Sequence, residues 1–132
     1  EIGIKDRVHF LGFRNDIPRI LKTIDIFVLS SNWEGLPLAL VEGMAAGKPV
    51  IGSNAPGIKE VVDNYGLLFS KGNSEELANK INQLINDPLK YNKIAKKCQL
   101  RANSYSIEKM VHEYIEQYKI LLNHKKGKIY EN

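Results

Sequence analysis

The sequence predicts an α/β protein with a doubly wound, mostly parallel sheet and helices toward its C-terminus. Short apolar runs, at Arg7–Gly12, Asp25–Ser30, Pro49–Ser53 and Gly66–Ser70, alternate with segments of helical spacing, the order that builds parallel β-α-β units. The run Ile26-Phe27-Val28-Leu29 is continuously apolar, as in a strand covered on both faces. Asp25 to Ile51 passes from strand to polar loop to helix to strand, which puts the loop at the carboxyl end of a strand, where doubly wound sheets hold their ligands.

Each element has local grounds. Val8, Phe10 and Leu11 mark the first strand, Phe13-Arg14-Asn15-Asp16 a turn, and Asp16 is placed to cap a short helix from Ile17 to Thr23. After the second strand comes Ser31-Asn32-Trp33-Glu34-Gly35-Leu36-Pro37, with Pro37 suited to a first helical position. Leu36, Leu40, Val41 and Met44 give that helix an apolar face, and Gly47 serves as its left-handed stop. The third strand leads through Asn54-Ala55-Pro56-Gly57 to a helix from Ile58 to Asp63, in which Glu60 suits the helix dipole. The fourth strand precedes Asn73 and Glu76, a capping-box pair opening a helix to about Asn86 with Leu77, Ile81, Leu84 and Ile85 on one face. Asp87-Pro88 breaks it. A helix follows over Leu89–Asn103, and Ser106 caps the last one, whose Met110, Val111, Tyr114, Ile115, Tyr118 and Leu121 stripe reads as core packing.

The loop before the Pro37 helix is the candidate site. No Ser, Thr, Asp or Asn stands at the N-cap, so the N–H groups of Leu38, Ala39 and Leu40 are expected to be free at the positive end of the helix dipole and open to an anion such as a diphosphate. Glu34 precedes the helix, and Glu42 lies about 7.5 Å along its axis from Pro37 at 1.5 Å per residue. Carboxylates accept from sugar hydroxyls and repel bare phosphate, so their targets would be the two sugars that flank a diphosphate. Trp33 could stack on a ligand ring, with packing the favoured reading.

Glu34-x7-Glu42, between Ser30-Ser31-Asn32-Trp33 and Gly47-Lys48-Pro49-Val50-Ile51, resembles the E-x7-E signature of retaining glycosyltransferases of family 4, which have the GT-B fold. The resemblance implies a Rossmann-like C-terminal half of such an enzyme, incomplete here: a partial nucleotide-sugar-binding domain over residues 1–122 and a basic tail over 123–132. It implies that Glu34 binds the donor sugar at the catalytic centre, that Gly35, Leu36, Pro37, Leu38 and Ala39 hold sugar and diphosphate, and that Glu42 binds the ribose. Phe13 and Arg14 would lie at the base, although Arg14 reads equally well as a surface cation. The donor would be a UDP- or GDP-linked sugar, with no other cofactor and no metal. The acceptor would be a glycan or a lipid-linked sugar bound through an N-terminal domain that these residues do not include. The resemblance implies that the family's Arg and Lys that neutralise the leaving diphosphate lie upstream of Glu1, and that the strand Val8–Gly12 is the sheet edge, separated from Asp25–Ser30 by two strands that these residues do not include. The chain alone is therefore expected to have little transferase activity.

The 132 residues, 43% hydrophobic and 26% charged, are ordinary for a domain with a buried core. The net charge of +4 includes Lys125, Lys126 and Lys128, read first as a solvated tail and second as attraction to nucleotide or an anionic membrane. Cys98 is the single cysteine, which fits a reducing cytoplasm; the expected setting is cytoplasmic, with a peripheral contact of the full enzyme at the inner membrane face. Cys/His metal clusters, Walker loops and interleaved basic and aromatic residues of a nucleic-acid binder are all missing from the sequence. The alternative reading is a non-catalytic nucleotide-binding or protein-interaction module.

Overall fold

The elements run α1 (Ile17–Thr23), β1 (Phe27–Leu29), α2 (Leu38–Ala45), β2 (Val50–Ser53), α3 (Ile58–Val62), β3 (Leu67–Phe69), α4 (Ser74–Ile85), α5 (Pro88–Ala102) and α6 (Ile107–Ile129), with 3-10 turns at Lys5–Arg7 and Asn103–Tyr105. This computed structural model describes residues 3–129, and side chains for 3–123; the Lys125, Lys126 and Lys128 cluster falls outside the described side chains.

The sheet is parallel, in the order β1-β2-β3. Its middle strand is the seat of the core: Val50 and Ile51 are fully buried, Ser53 is 1% exposed, and Leu40, Met44, Ile58, Val62, Leu84 and Cys98 close around them. Glycines let the layers approach. A Cβ at Gly52 would lie 2.4 Å from the Ile58 methyl Cγ2, one at Gly66 2.7 Å from Val50 Cγ2, and one at Gly43 2.7 Å from the Phe27 ring. Phe27, Val50 and Gly52 therefore carry α2 and α3 on one side of the sheet. The other helices that touch β2 are α4 and α5.

The last of these also crosses the amino ends of the strands. Tyr91 donates from its hydroxyl to the Asp25 carbonyl (2.8 Å), Lys97 to the Asn64 carbonyl (3.3 Å) and Cys98 to the Tyr65 carbonyl (3.5 Å). Arg101 lies over the rings of Tyr65 and Tyr105, 4.9 and 5.0 Å from their centroids, and donates to the Glu60 carbonyl. Burial pushes the Cys98 thiol up from its ordinary pKa, which keeps it protonated and unreactive.

Helix ends follow local chemistry. Gly47, at φ 74°, closes α2 as a Schellman motif: its N–H donates to Met44 (3.0 Å) and that of Lys48 to Gly43 (3.2 Å). Asn73 caps α4 by accepting from the Glu76 N–H (2.9 Å), and Asp87 caps α5 by accepting from Lys90 (2.9 Å). Ser106 caps α6 through the Lys109 N–H.

Several expectations are corrected. The strand expected over Arg7–Gly12 does not form: residues 8–12 join no ladder and Phe10 is 96% exposed, because β-propensity needs a neighbouring strand and β1 ends the sheet among the described residues. β1 itself is shorter than Asp25–Ser30 and covered unequally, with Val28 exposed. Asp16 stands at the N-cap of α1 but makes no side-chain cap there, since Arg14 holds both its oxygens. Glu76 completes no reciprocal box; it reaches past Asn73 to accept from the Ser70 N–H at the end of β3 (2.7 Å). Leu36 and Ile85 are exposed, as are Trp33 and the α6 stripe from Met110 to Leu121. No helix among the described residues is long and apolar enough to cross a membrane.

Two predictions follow from this packing. Gly43→Ala gains helix propensity of up to about 1 kcal/mol but drives a methyl into the Phe27 ring, and overpacking costs about 1–3 kcal/mol. The urea midpoint should fall, and less so when Phe27→Leu is added, which is non-additivity through a shared contact. The Ser70 N–H holds the Glu76 carboxyl below the usual glutamate range. A depressed folded value contributes stability above the unfolded pKa that is lost as pH falls through the folded one. Between about pH 6 and about pH 3, wild type should therefore lose more stability in urea titrations than Glu76→Gln.

Candidate functional site

The loop leaving β1 and the loop leaving β2 meet at the carboxyl end of the sheet, the end opposite α5. Ser53, buried at the tip of β2, donates from its hydroxyl to the Ser31 carbonyl (2.5 Å). The Glu34 N–H donates to the Pro56 carbonyl (3.2 Å). Gly57, at φ 81°, lies so close that a Cβ there would stand 2.1 Å from the Glu34 carbonyl oxygen and 2.7 Å from that of Gly35. The backbone around Glu34 is thus held by the loop after β2, with Ser53 the buried member of these contacts. Its carboxylate has no hydrogen bond or ion pair among the described residues, and neither has that of Glu42.

The helix tip differs from expectation. Pro37 is the N-cap residue, not the first helical one, at φ −77° and ψ 78°, which is the geometry of an inverse γ-turn. That turn brings the Leu36 carbonyl back to accept from the Leu38 N–H (2.9 Å), and the Pro37 carbonyl accepts from Leu40 (3.0 Å) and Val41 (3.2 Å). Two of the three amides expected to be free are engaged. The Ala39 N–H alone has no acceptor among the described residues, and no side chain caps the helix. Gly35, Leu36, Leu38 and Ala39 are exposed around it and Pro37 is buried.

Glu42 opens onto a groove of about 410 Å³ between α1 and α2, lined otherwise by Ile17, Pro18, Leu21, Lys22, Ala45 and Ala46. Glu34 is not among its lining residues, and neither are Phe13 and Arg14. Phe13 is 98% exposed. Arg14 grips Asp16 through two 2.8 Å hydrogen bonds; each holds the other charged, the guanidinium raised above and the carboxyl lowered below its ordinary pKa. Sequence reasoning missed the α1 side of the groove, whose signal is the apolar pair Ile17 and Leu21 one turn apart. It also missed Ser53 and Gly57, whose roles depend on two loops meeting.

Residues 1–101 match the family model described as glycosyl transferases group 1. Among curated proteins, the chain is 36% identical over 121 residues, 89% of its length and 31% of the relative's, to the UDP-Gal:alpha-D-GlcNAc-diphosphoundecaprenol alpha-1,3-galactosyltransferase of Escherichia coli. It is 34% identical over 113 residues, 84% of its length and 30% of the relative's, to the N,N'-diacetylbacillosaminyl-diphospho-undecaprenol alpha-1,3-N-acetylgalactosaminyltransferase of Campylobacter jejuni. Among solved structures it superposes on Anabaena HepE in complex with UDP-glucose with a TM-score of 0.78 and 36% identity, covering 87% of this chain and 34% of that one. The chain spans about a third of the length of the curated relatives it matches, and its structural neighbours are GT-B glycosyltransferases. The family match over residues 1–101 and the relatives that cover most of the chain show that it belongs to the group 1 glycosyl transferases.

Proposed function

We propose that this chain is the donor-binding part of a retaining glycosyltransferase of family 4, which moves a sugar from a UDP- or GDP-linked donor to a glycan or lipid-linked acceptor. One observation carries the reading: Glu34, in the loop at the carboxyl end of the sheet, and Glu42, on the helix that this loop opens, have no partner among the described residues, although the backbone at Glu34 is held by the loop after β2. Carboxylates that stand on a fixed backbone and have no protein partner are open to accept from ligand hydroxyls. UDP and UDP-glucose are the ligands of the Anabaena relative, and undecaprenol-linked sugars are the acceptors in the names of two others.

In this reading Glu42 accepts from the ribose at the mouth of the α1–α2 groove, and the groove takes the nucleoside side. The Ala39 N–H, with Gly35, Leu36, Pro37 and Leu38 around it, lies against the diphosphate, and Glu34 accepts from the donor sugar. Phe13 and Arg14 flank the base from the loop before α1. The acceptor oxygen attacks the anomeric carbon as its bond to the diphosphate breaks, and the acceptor proton passes to the departing diphosphate oxygen. Glu34 orients the sugar and is not the nucleophile. Charge stabilisation on the diphosphate would come from outside these residues, and so would most of the acceptor site. The work would be done in the cytoplasm, with the full enzyme touching the membrane peripherally.

A panel of UDP- and GDP-linked sugars tests this by thermal stabilisation of the chain, where ligand at 100 times its dissociation constant contributes about 2.7 kcal/mol. Hydrogen bonds to charged groups are worth about 1.5–3 kcal/mol. Glu42→Ala should thus weaken both the bare nucleotide and the nucleotide sugar about ten- to a hundredfold, and Glu34→Ala the nucleotide sugar alone. A chain that binds no nucleotide, with both variants silent, would instead be a protein-interaction module.

A further inference from the structure

We infer that Ser53 and Gly57 are positioning residues for Glu34, a latch by which the loop after β2 sets where the donor-sugar carboxylate stands. The inference rests on the reading of Glu34 as a ligand for the donor sugar. No side-chain contact holds that carboxylate among the described residues, so its place is set by its backbone alone. The backbone is held at three points: the Ser31 carbonyl by the Ser53 hydroxyl, the Glu34 N–H by the Pro56 carbonyl, and the Glu34 and Gly35 carbonyls against Gly57.

Ser53 is built for the task. It is the one polar residue buried among the described residues, 1% exposed at the end of a strand whose other members are apolar or glycine. A buried hydroxyl without a partner is costly, and this one spends its proton on the loop of a different strand. Gly57 excludes a side chain for two reasons: its φ of 81° disfavours one, and the Glu34 carbonyl occupies the space. Together they make the Glu34 loop follow β2, the most buried strand of the sheet. Glu42 stands on α2 and does not depend on this latch, so the two carboxylates have separate supports.

The test compares the full chain as wild type, Ser53→Ala, Ser53→Thr, Glu34→Ala and the Ser53→Ala/Glu34→Ala double variant. Amide hydrogen exchange at Glu34 and the fluorescence of Trp33, the single tryptophan, read the latch without ligand. Titration with UDP and with UDP-glucose reads its consequence. One hydrogen bond is worth about 0.5–1.5 kcal/mol, so in Ser53→Ala the Glu34 amide should exchange about tenfold faster while Ile51 and Gly52 keep their protection. UDP-glucose affinity should fall about tenfold and UDP affinity stay within about twofold, since a factor of ten is about 1.4 kcal/mol. Ser53→Thr should restore both, and the double variant should bind UDP-glucose no worse than Glu34→Ala. Gly57→Ala should move in the same direction and further. Parallel weakening of UDP and UDP-glucose would make Ser53 a general stabiliser and overturn the inference; so would unchanged exchange at Glu34. If wild type binds neither of these nor any donor of the UDP- and GDP-linked panel, it is the functional reading that fails, and Glu34 exchange with Trp33 emission still decides whether Ser53 holds the loop.

Discussion

Everything in this fold hangs on β2 having no free surface. A strand buried on both faces must take ladder partners along both edges and accept helices close enough to exclude water, and the four residues Val50–Ser53 meet those demands with two branched apolar side chains, a glycine and a serine. Full burial of a Val or Ile is worth about 1.5–3 kcal/mol. The Gly52 position matters as much, because any side chain there would keep Ile58 and Val62 off the sheet. The same strand then delivers Ser53 and, four residues later, Gly57 to the loop that carries Glu34. Core and candidate site are thus consecutive parts of one stretch of chain.

The two ends of the sheet are treated differently. At the amino ends α5 satisfies the strand-entry carbonyls with Tyr91, Lys97 and Cys98, and the Arg101 guanidinium lies over two tyrosine rings. At the carboxyl ends the loops after β1 and β2 hold each other's backbone, but Glu34, the Ala39 N–H and, further along α2, Glu42 have no protein partners among the described residues. An end that is closed carries stability. An end that is rigid and unsatisfied can carry recognition, because the ordering of its backbone precedes ligand arrival.

What could be read from the sequence was what local chemistry decides. Gly47 needed a left-handed conformation, Asn73 and Ser106 offered short acceptors to helix amides, and the 50–53 run had no polar break before its last residue. Glu34 and Glu42 were visible as a pair through their context. Less legible was whatever depends on a distant neighbour. Val8 to Gly12 has strand composition, but nothing in five residues says whether a strand will lie beside them. Asp16 had a helix to cap and a nearer cation to bind, and Arg14 won through two charge-assisted hydrogen bonds. Pro37 stands one position earlier than its sequence predicts, and the γ-turn it makes closes the Leu38 amide, while Leu40 bonds back to the Pro37 carbonyl. The Glu42 groove is a meeting of two helices: the spacing of Ile17 and Leu21 marks an apolar face on α1, and nothing within α1 says that α2 lies against it.

The last helix makes the same point about periodicity. Met110, Tyr114, Tyr118 and Leu121 recur with the spacing of a buried stripe, and all four are exposed, with Tyr114 and Tyr118 6.4 Å apart between ring centroids. Spacing identifies a face that is apolar; it does not say what covers it. The amount of such surface is a property of the residues described, which include a third of the length seen in relatives. Apolar area in water costs about 25 cal/mol per Å² relative to burial, so α6 contributes little to holding this sheet together. What stabilises the described residues is the layer of α2, α3, α4 and α5 around β2, and that layer is complete without α6: the core cluster runs from Leu40 to Ala102 and draws no buried member from beyond it.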